Sequence, residues 1–279
     1  MNRRRRILAT ARLEFAELAR SRLPIFSFAL PAAISALLIL IGLRESNVLG
    51  FTGMGRIMLS LCHVLILILP LTALLGAGTT LNRARDDGLL ELMFSLPLDR
   101  VEYYLAVTAT RYLALTAPVV VSIAALGLLG RAVFGQPIPW EFLARTTAIA
   151  ASLTWSFAAI GLAISTITFN QAKTLIYLLT TWMVAVAVVD FAMIGLMLQW
   201  RLDPRSVFIL ACLNPVQCAR IALLSAAEPS LGVLGPVGFY LANRVGTGAL
   251  FAMGIAQPLL VGLIAWTIGL RAFRRGDLV

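Results

Sequence analysis

The sequence predicts an all-α integral membrane protein: six transmembrane helices in a single domain over residues 1–279, with an interfacial helix ahead of the first. Three observations predict it. The 279 residues are 60% hydrophobic and only 13% charged, with a mean hydropathy of +0.91, whereas a soluble domain is nearer half apolar and a quarter charged. Six runs reach the length of about 20 apolar residues that spans a bilayer: residues 23–43, 57–80, 108–129, 146–169, 174–199 and 249–270. The basic residues, which set a net charge of +10, gather at the ends of these runs.

That placement decides what the charge is for. In a soluble protein a pI near 10.7 raises nucleic acid as a partner. Basic residues flanking apolar runs fit anionic lipid headgroups instead, so membrane lipids are the expected partner and nucleic acid is not. Three cysteines (Cys62, Cys212, Cys218) and the single His63 exclude a disulfide-dense scaffold and a multi-histidine metal centre. The first run reads as a span and not as a cleavable signal peptide: it starts late, is too long and lacks a small-x-small cleavage site.

Orientation follows from the arginines. With the N-terminus in the cytoplasm, inside segments hold fifteen of the 23 Lys and Arg residues and outside segments eight. Seven of the inside group, Arg3 to Arg22, adjoin the first span, where positive charge weighs most. Both termini are therefore expected inside. Arg111, at the inner end of the third run, is expected to snorkel to the headgroups.

Residues 1–22 form the interfacial helix. Ile7, Leu8, Ala11, Phe15 and Leu18 share one stripe at helical spacing, while Arg5, Arg12, Glu14, Glu17 and Arg20 fall off it and Leu13 is an exception. Such a helix lies in the interface with its arginines at the headgroups; the plainer alternative is a solvated helical tail.

The longest inner break is residues 82–100, NRARDDGLLELMFSLPLDR. Asp86 and Asp87 precede a short apolar helix over 89–94, where a helix dipole favours carboxylates. Pro97 ends it, and Asp99 with Glu102 forms a capping-box pair for the next helix. A short, partly apolar helix across the mouth of a bundle has the shape of a docking element. An ordinary loop packed on its own spans is the alternative.

The pattern Asp-x-Gly-Leu-Leu-Glu-Leu-x-x-Ser-x-Pro-x-x-Arg, from Asp86 to Arg100, resembles the coupling-helix segment of ABC-2 type permeases. Ala11-Arg12-Leu13-Glu14-Phe15 looks like that family's interfacial helix, and Leu213-Asn214-Pro215 followed by Arg220 is also similar. Within the family the chain looks most like the NosY-type permease of the nitrous-oxide-reductase maturation transporter. It departs from the pattern at Ala84, where the family has a second carboxylate, and at Val107, where a lysine is frequent. The resemblance implies an ABC-2 (type V exporter-like) fold in a bacterial inner membrane. It also implies a homodimer, a separate cytosolic ABC ATPase, and a periplasmic maturation protein as a further partner. It carries ATPase coupling onto Asp86, Gly88, Leu89, Glu91, Leu92, Ser95, Pro97 and Arg100. The implied dimer has its path between the two copies, with spans one, two and five as the candidate seam.

The residues agree that ATP hydrolysis belongs elsewhere. A P-loop needs glycines ahead of a Lys-Ser/Thr pair, and the single lysine, Lys173, sits in Phe169-Asn170-Gln171-Ala172-Lys173. No catalytic constellation is visible, and no cofactor is expected. A stand-alone membrane enzyme or scaffold, such as a lipid-modifying protein, is the alternative class.

Residues 200–248 read as an outer segment of short helices re-entering or lying on the leaflet, with interfacial padding as the alternative. Asp203-Pro204 marks a turn, Asn214-Pro215 is an N-cap and first-turn pair, and Glu228-Pro229-Ser230 breaks the helix that follows. Asp190 lies well inside span five, where a carboxylate needs a partner or water; Arg201 and Arg145 are candidate partners at the outer side. Asp190, Asn214 and Arg220 are the candidates for gating or substrate contact. In a seam through span five, two Asp190 side chains would approach one another and favour water or a cation between them. Met54, Met58 and Cys62 recur every fourth residue and could offer soft ligands to Cu(I), although Met and Cys are also ordinary apolar packers. Cys212 and Cys218 fit no standard zinc spacing and need not face each other, while the compartment outside a bacterial inner membrane permits a disulfide.

Overall fold

The computed structural model describes residues 3–20, 53–96, 98–135, 137–200, 204–227 and 244–276, with isolated helical positions at Ala29, Ala33, Ala36 and Leu37. Every regular element among the described residues is helical. α1 is Arg3–Arg20, α2 Gly53–Gly78, α3 Thr80–Asp86, α4 Leu89–Ser95, α5 Arg100–Phe134 and α6 Trp140–Ile167. α7, Gln171–Met183, runs through a π turn at Val184–Val188 into α8, Val189–Trp200. α9 is Pro204–Ala211, α10 Pro215–Ala227 and α11 Thr247–Arg275.

Five stretches are long and apolar enough to cross a membrane: Ser60–Asp86, Arg100–Ala132, Trp140–Ile167, Gln171–Met193 and Thr247–Arg275. They match the second to sixth expected runs one for one. The bent pair α9–α10 would make a sixth span if read as one. The chain is thus a membrane-embedded helical bundle. The first expected run, 23–43, lies outside the described residues apart from the isolated positions. All five helices start earlier than their apolar runs, α5 by the most. α5 begins at Arg100 because Asp99 accepts from the first-turn backbone while Glu102 accepts from the Asp99 N–H, and this capping box carries the helix through a polar first turn.

α6 is the axis of the bundle. Its apolar window is 67% buried, against 11% for the α7–α8 window, so α6 is wrapped by α2, α5, α10 and α11 while α7–α8 lies on the outside. Apolar side chains gain nothing over lipid tails by meeting each other, so close backbone approach at small residues decides such packing. α11 turns Gly254, Pro258, Gly262 and Gly269 inward. Gly161 of α6 makes the closest approach to another helix's backbone: a Cβ there would meet the Leu74 carbonyl oxygen at 2.9 Å and the Gly78 backbone at 3.1 Å. Because backbone cannot rotate away, Gly161→Val should separate α2 from α6 and destabilise the bundle by about 1–3 kcal/mol. A thermal melt in detergent should show the loss, and an unchanged midpoint would contradict the contact.

α1 lies against α5 by one edge of its apolar stripe, with Leu18 buried and Ile7 and Ala11 half-buried. Thr10, Glu14 and Leu18 are buried, one turn apart along a single line. Leu8 and Phe15 of the expected stripe are 60% and 59% exposed. Glu14, expected among the headgroup-facing charges, accepts from the Tyr103 hydroxyl at 3.1 Å and pairs with Arg111 at 3.7 Å. Arg111 therefore does not snorkel to headgroups; it is buried beside that carboxylate. The partnered charge turned the helix, since a carboxylate loses less on burial when its oxygens are bonded, and the displaced Leu8 and Phe15 fit a lipid boundary.

Candidate functional site

Two places combine polar chemistry with the bundle: the α3–α4 corner and the π turn of the α7–α8 span. They lie at opposite ends. Thr174, bonded to Asn82 near the corner, precedes Asp190 by sixteen residues on one nearly continuous helix, a separation of about 24 Å at 1.5 Å per residue.

The corner is built by Gly88. Its φ of +67° is a left-handed conformation that glycine adopts without the penalty a Cβ imposes. The Gly88 N–H bonds the Arg85 carbonyl at 3.0 Å, closing α3, and the Gly88 carbonyl accepts from Leu92, opening α4. α4 ends at Ser95 because Leu96 is extended, at φ −88° and ψ 158°, as a residue before proline should be; Pro97 itself lies outside the described residues. Leu90 and Met93 are buried. Phe94 meets Tyr103 edge-on at 5.8 Å and Phe273 at 6.2 Å, and Tyr103 stacks on Phe273 at 6.1 Å. α4 is thereby braced on α5 and α11.

The opposite side of α4 is open. Glu91 and Ser95 are exposed, with Leu92 at 60% and Leu96 at 55%, and Asp86 and Asp87 are exposed beside them. Leu89 is half-buried. Arg100 points elsewhere: it donates to the carbonyls of Arg274 at 3.0 Å and Gly276 at 2.9 Å, satisfying the C-terminus of α11. Arg85 does the same for α6, through the Ser165 and Thr168 carbonyls at 2.9 and 3.2 Å, with its guanidinium 4.7 Å from the Phe169 ring centre. Below the corner Arg6 holds Glu102 through two hydrogen bonds of 3.0 and 2.8 Å. Glu102 raises the Arg6 pKa above its ordinary value, chiefly through those bonds.

At the other end the three candidates Asp190, Asn214 and Arg220 come together. Asn214 caps α10 as read, accepting from the Val216 N–H at 2.9 Å, and its amide donates to the Ala185 carbonyl in the π turn at 2.7 Å. π turns recur at functional positions. Arg220 grips Asp190 with two parallel bonds, both 2.7 Å, the fork geometry that makes such pairs strong. Gln217 donates to the same carboxylate. Among the described residues the partner of Asp190 is thus Arg220, and not Arg145. Arg201 lies outside the described residues. Arg145 pairs with Glu141 one turn away at 2.5 Å and sits over the Phe251 ring at 5.7 Å. With its charge matched inside one copy, Asp190 no longer calls for a cation between two copies. Gln217 was missed by the sequence reading; its spacing of three from Arg220 places both on one face of α10 and was the available signal.

The Met54 and Met58 side chains lie outside the described residues. Cys62 is buried in the core, and its thiol donates to the Leu223 carbonyl at 3.6 Å. Among the described residues no three His, Cys, Asp or Glu side chains group as a metal site. The outer segment beyond Ala227, 228–243, lies outside the described residues; its first half is the α9–α10 pair, bent by 116°.

No protein-family model matches the chain, and no curated protein matches it.

Proposed function

We propose that the chain is the transmembrane permease half of an ABC transporter, of the ABC-2 type. On this reading it works as a homodimer on two copies of a separate cytosolic ATPase, in a bacterial inner membrane with both termini inside. The observation that carries this is α4: a rigidly braced short helix that leaves Glu91, Leu92, Ser95 and Leu96 uncovered. A solvent-facing leucine pair costs apolar hydration unless a partner covers it, and Glu91 beside it would select a basic counterpart. Arg85 and Arg100 support the same reading, because they tie the corner to the ends of α6 and α11, so a push on α4 reaches both helices. The Asp86–Arg100 pattern narrows the reading toward the nitrous-oxide-reductase maturation permease and hence toward copper-site maturation, with export or mechanical signalling as the output.

The test is reconstitution of the full chain with the ABC ATPase encoded beside it, followed by ATPase assay. Glu91→Arg with Leu92→Asp should remove permease-dependent stimulation, at least tenfold, while the chain stays in the membrane. Both positions are exposed, so folding should be unaffected. Stimulation at the unmodified level, or the absence of any ATPase that co-purifies, would overturn the reading.

A further inference from the structure

The α9–α10 break brings together two cysteines that neither the fold nor the proposed transport role uses. Cys212 follows the last residue of α9, and its N–H still bonds the Phe208 carbonyl at 2.9 Å. Cys218 stands in the first turns of α10, with its N–H on the Asn214 carbonyl at 3.1 Å. In a straight helix residues six apart point in widely different directions. Here the 116° bend folds α10 back, so the Cys218 thiol donates to the Cys212 carbonyl at 3.6 Å. A carbonyl oxygen is about 2.4 Å from its own Cα, so the Cys218 sulfur lies within about 6 Å of the Cys212 Cα, on the same side of the bend. Cys212 is half-buried and Cys218 buried, an arrangement of one thiol open to attack and a second held behind it.

We infer that Cys212 and Cys218 form a reversible dithiol–disulfide pair that latches the break between α9 and α10. The oxidant is a low-molecular-weight disulfide. The Cys212 thiolate attacks one of its sulfurs and expels the first thiolate. The Cys218 thiolate then displaces the second from the mixed disulfide. One disulfide is consumed, two thiols are released, and the two cysteine protons end on them. The closed ring spans residues 212–218, and it contains Asn214 and Gln217, the residues that hold the Ala185 carbonyl and the Asp190 carboxylate. Oxidation would therefore stiffen the attachment of α10 to the π turn, and reduction would release it. The inference stands on the α9–α10 geometry and is independent of the transport reading.

The full-length chain in detergent, exposed to oxidised glutathione, quenched with an alkylating agent and digested with trypsin, tests it. Arg205 and Arg220 bracket both cysteines, so the pair falls in one peptide, 206–220. The expected product is that peptide lighter by two hydrogens and unalkylated, restored to two alkylated thiols by dithiothreitol, while Cys62 is alkylated throughout after denaturation. Amide hydrogen exchange over 213–220 should slow on oxidation in the native chain and not in Cys212→Ser. Two free thiols after oxidant, a lasting glutathione adduct on Cys212, or a link between two chains would each overturn the pair. Unchanged exchange on oxidation would overturn the latch.

Discussion

Arg220→Leu should destabilise the fold by about 3 kcal/mol, the cost of leaving a paired charge without its partner in a water-poor site. Asp190 then keeps only its bond from Gln217, and a carboxylate inside a span cannot turn to bulk water as a surface residue would. The diagnostic variant is the double change Asp190→Leu with Arg220→Leu. Removing both charges should restore most of the lost stability, because desolvating an ion pair consumes much of what the pair returns. Melting midpoints of the single and double variants in one detergent check this. A double variant as unstable as the single one would mean that the carboxylate and guanidinium are not coupled. If the two are coupled for function as well as stability, the double variant should be well folded and inactive, whereas a purely structural pair would leave it active.

Glu14→Ala should have an effect of similar size at the other end, about 3 kcal/mol, by removing the carboxylate packed beside the buried Arg111. It also removes the acceptor of the Tyr103 hydroxyl, and Tyr103 is the ring on which Phe94 of α4 rests. The expected phenotype is twofold: α1 becomes open to limited proteolysis at its arginines, and α4 loses part of its brace. Glu14→Gln, which keeps the Tyr103 bond and drops the charge, should be intermediate. If Glu14→Ala leaves both protease resistance and melting unchanged, α1 is held by its apolar residues and the rotation toward Glu14 has no energetic weight.

Much of the architecture was legible in the residues. Long apolar runs must become helices in a bilayer because unpaired backbone groups find no water there, so five of the expected runs correspond to spans without any knowledge of neighbours. Local chemistry was equally plain. Asp99 with Glu102, and Asn214 ahead of Pro215, each act within a few residues, and each starts a helix where read.

What composition and spacing by themselves determined, then, is the membrane-embedded helical class, the number and place of the described spans, and the two caps at Asp99 and Asn214. Tertiary structure alone decided which charges meet. Asp190 and Arg220 are thirty residues apart, Glu14 and Tyr103 eighty-nine, and Arg100 reaches carbonyls more than 170 positions away. No helical periodicity links such distant positions, because which face of one helix meets which face of another is set by steric fit at residues such as Gly161 and Gly254. α1 shows a second tertiary influence: a local pattern ranks faces by hydrophobicity, but inside the bundle the buried Glu14 finds Tyr103 and Arg111, and the helix shifts so that Leu8 and Phe15 stay exposed.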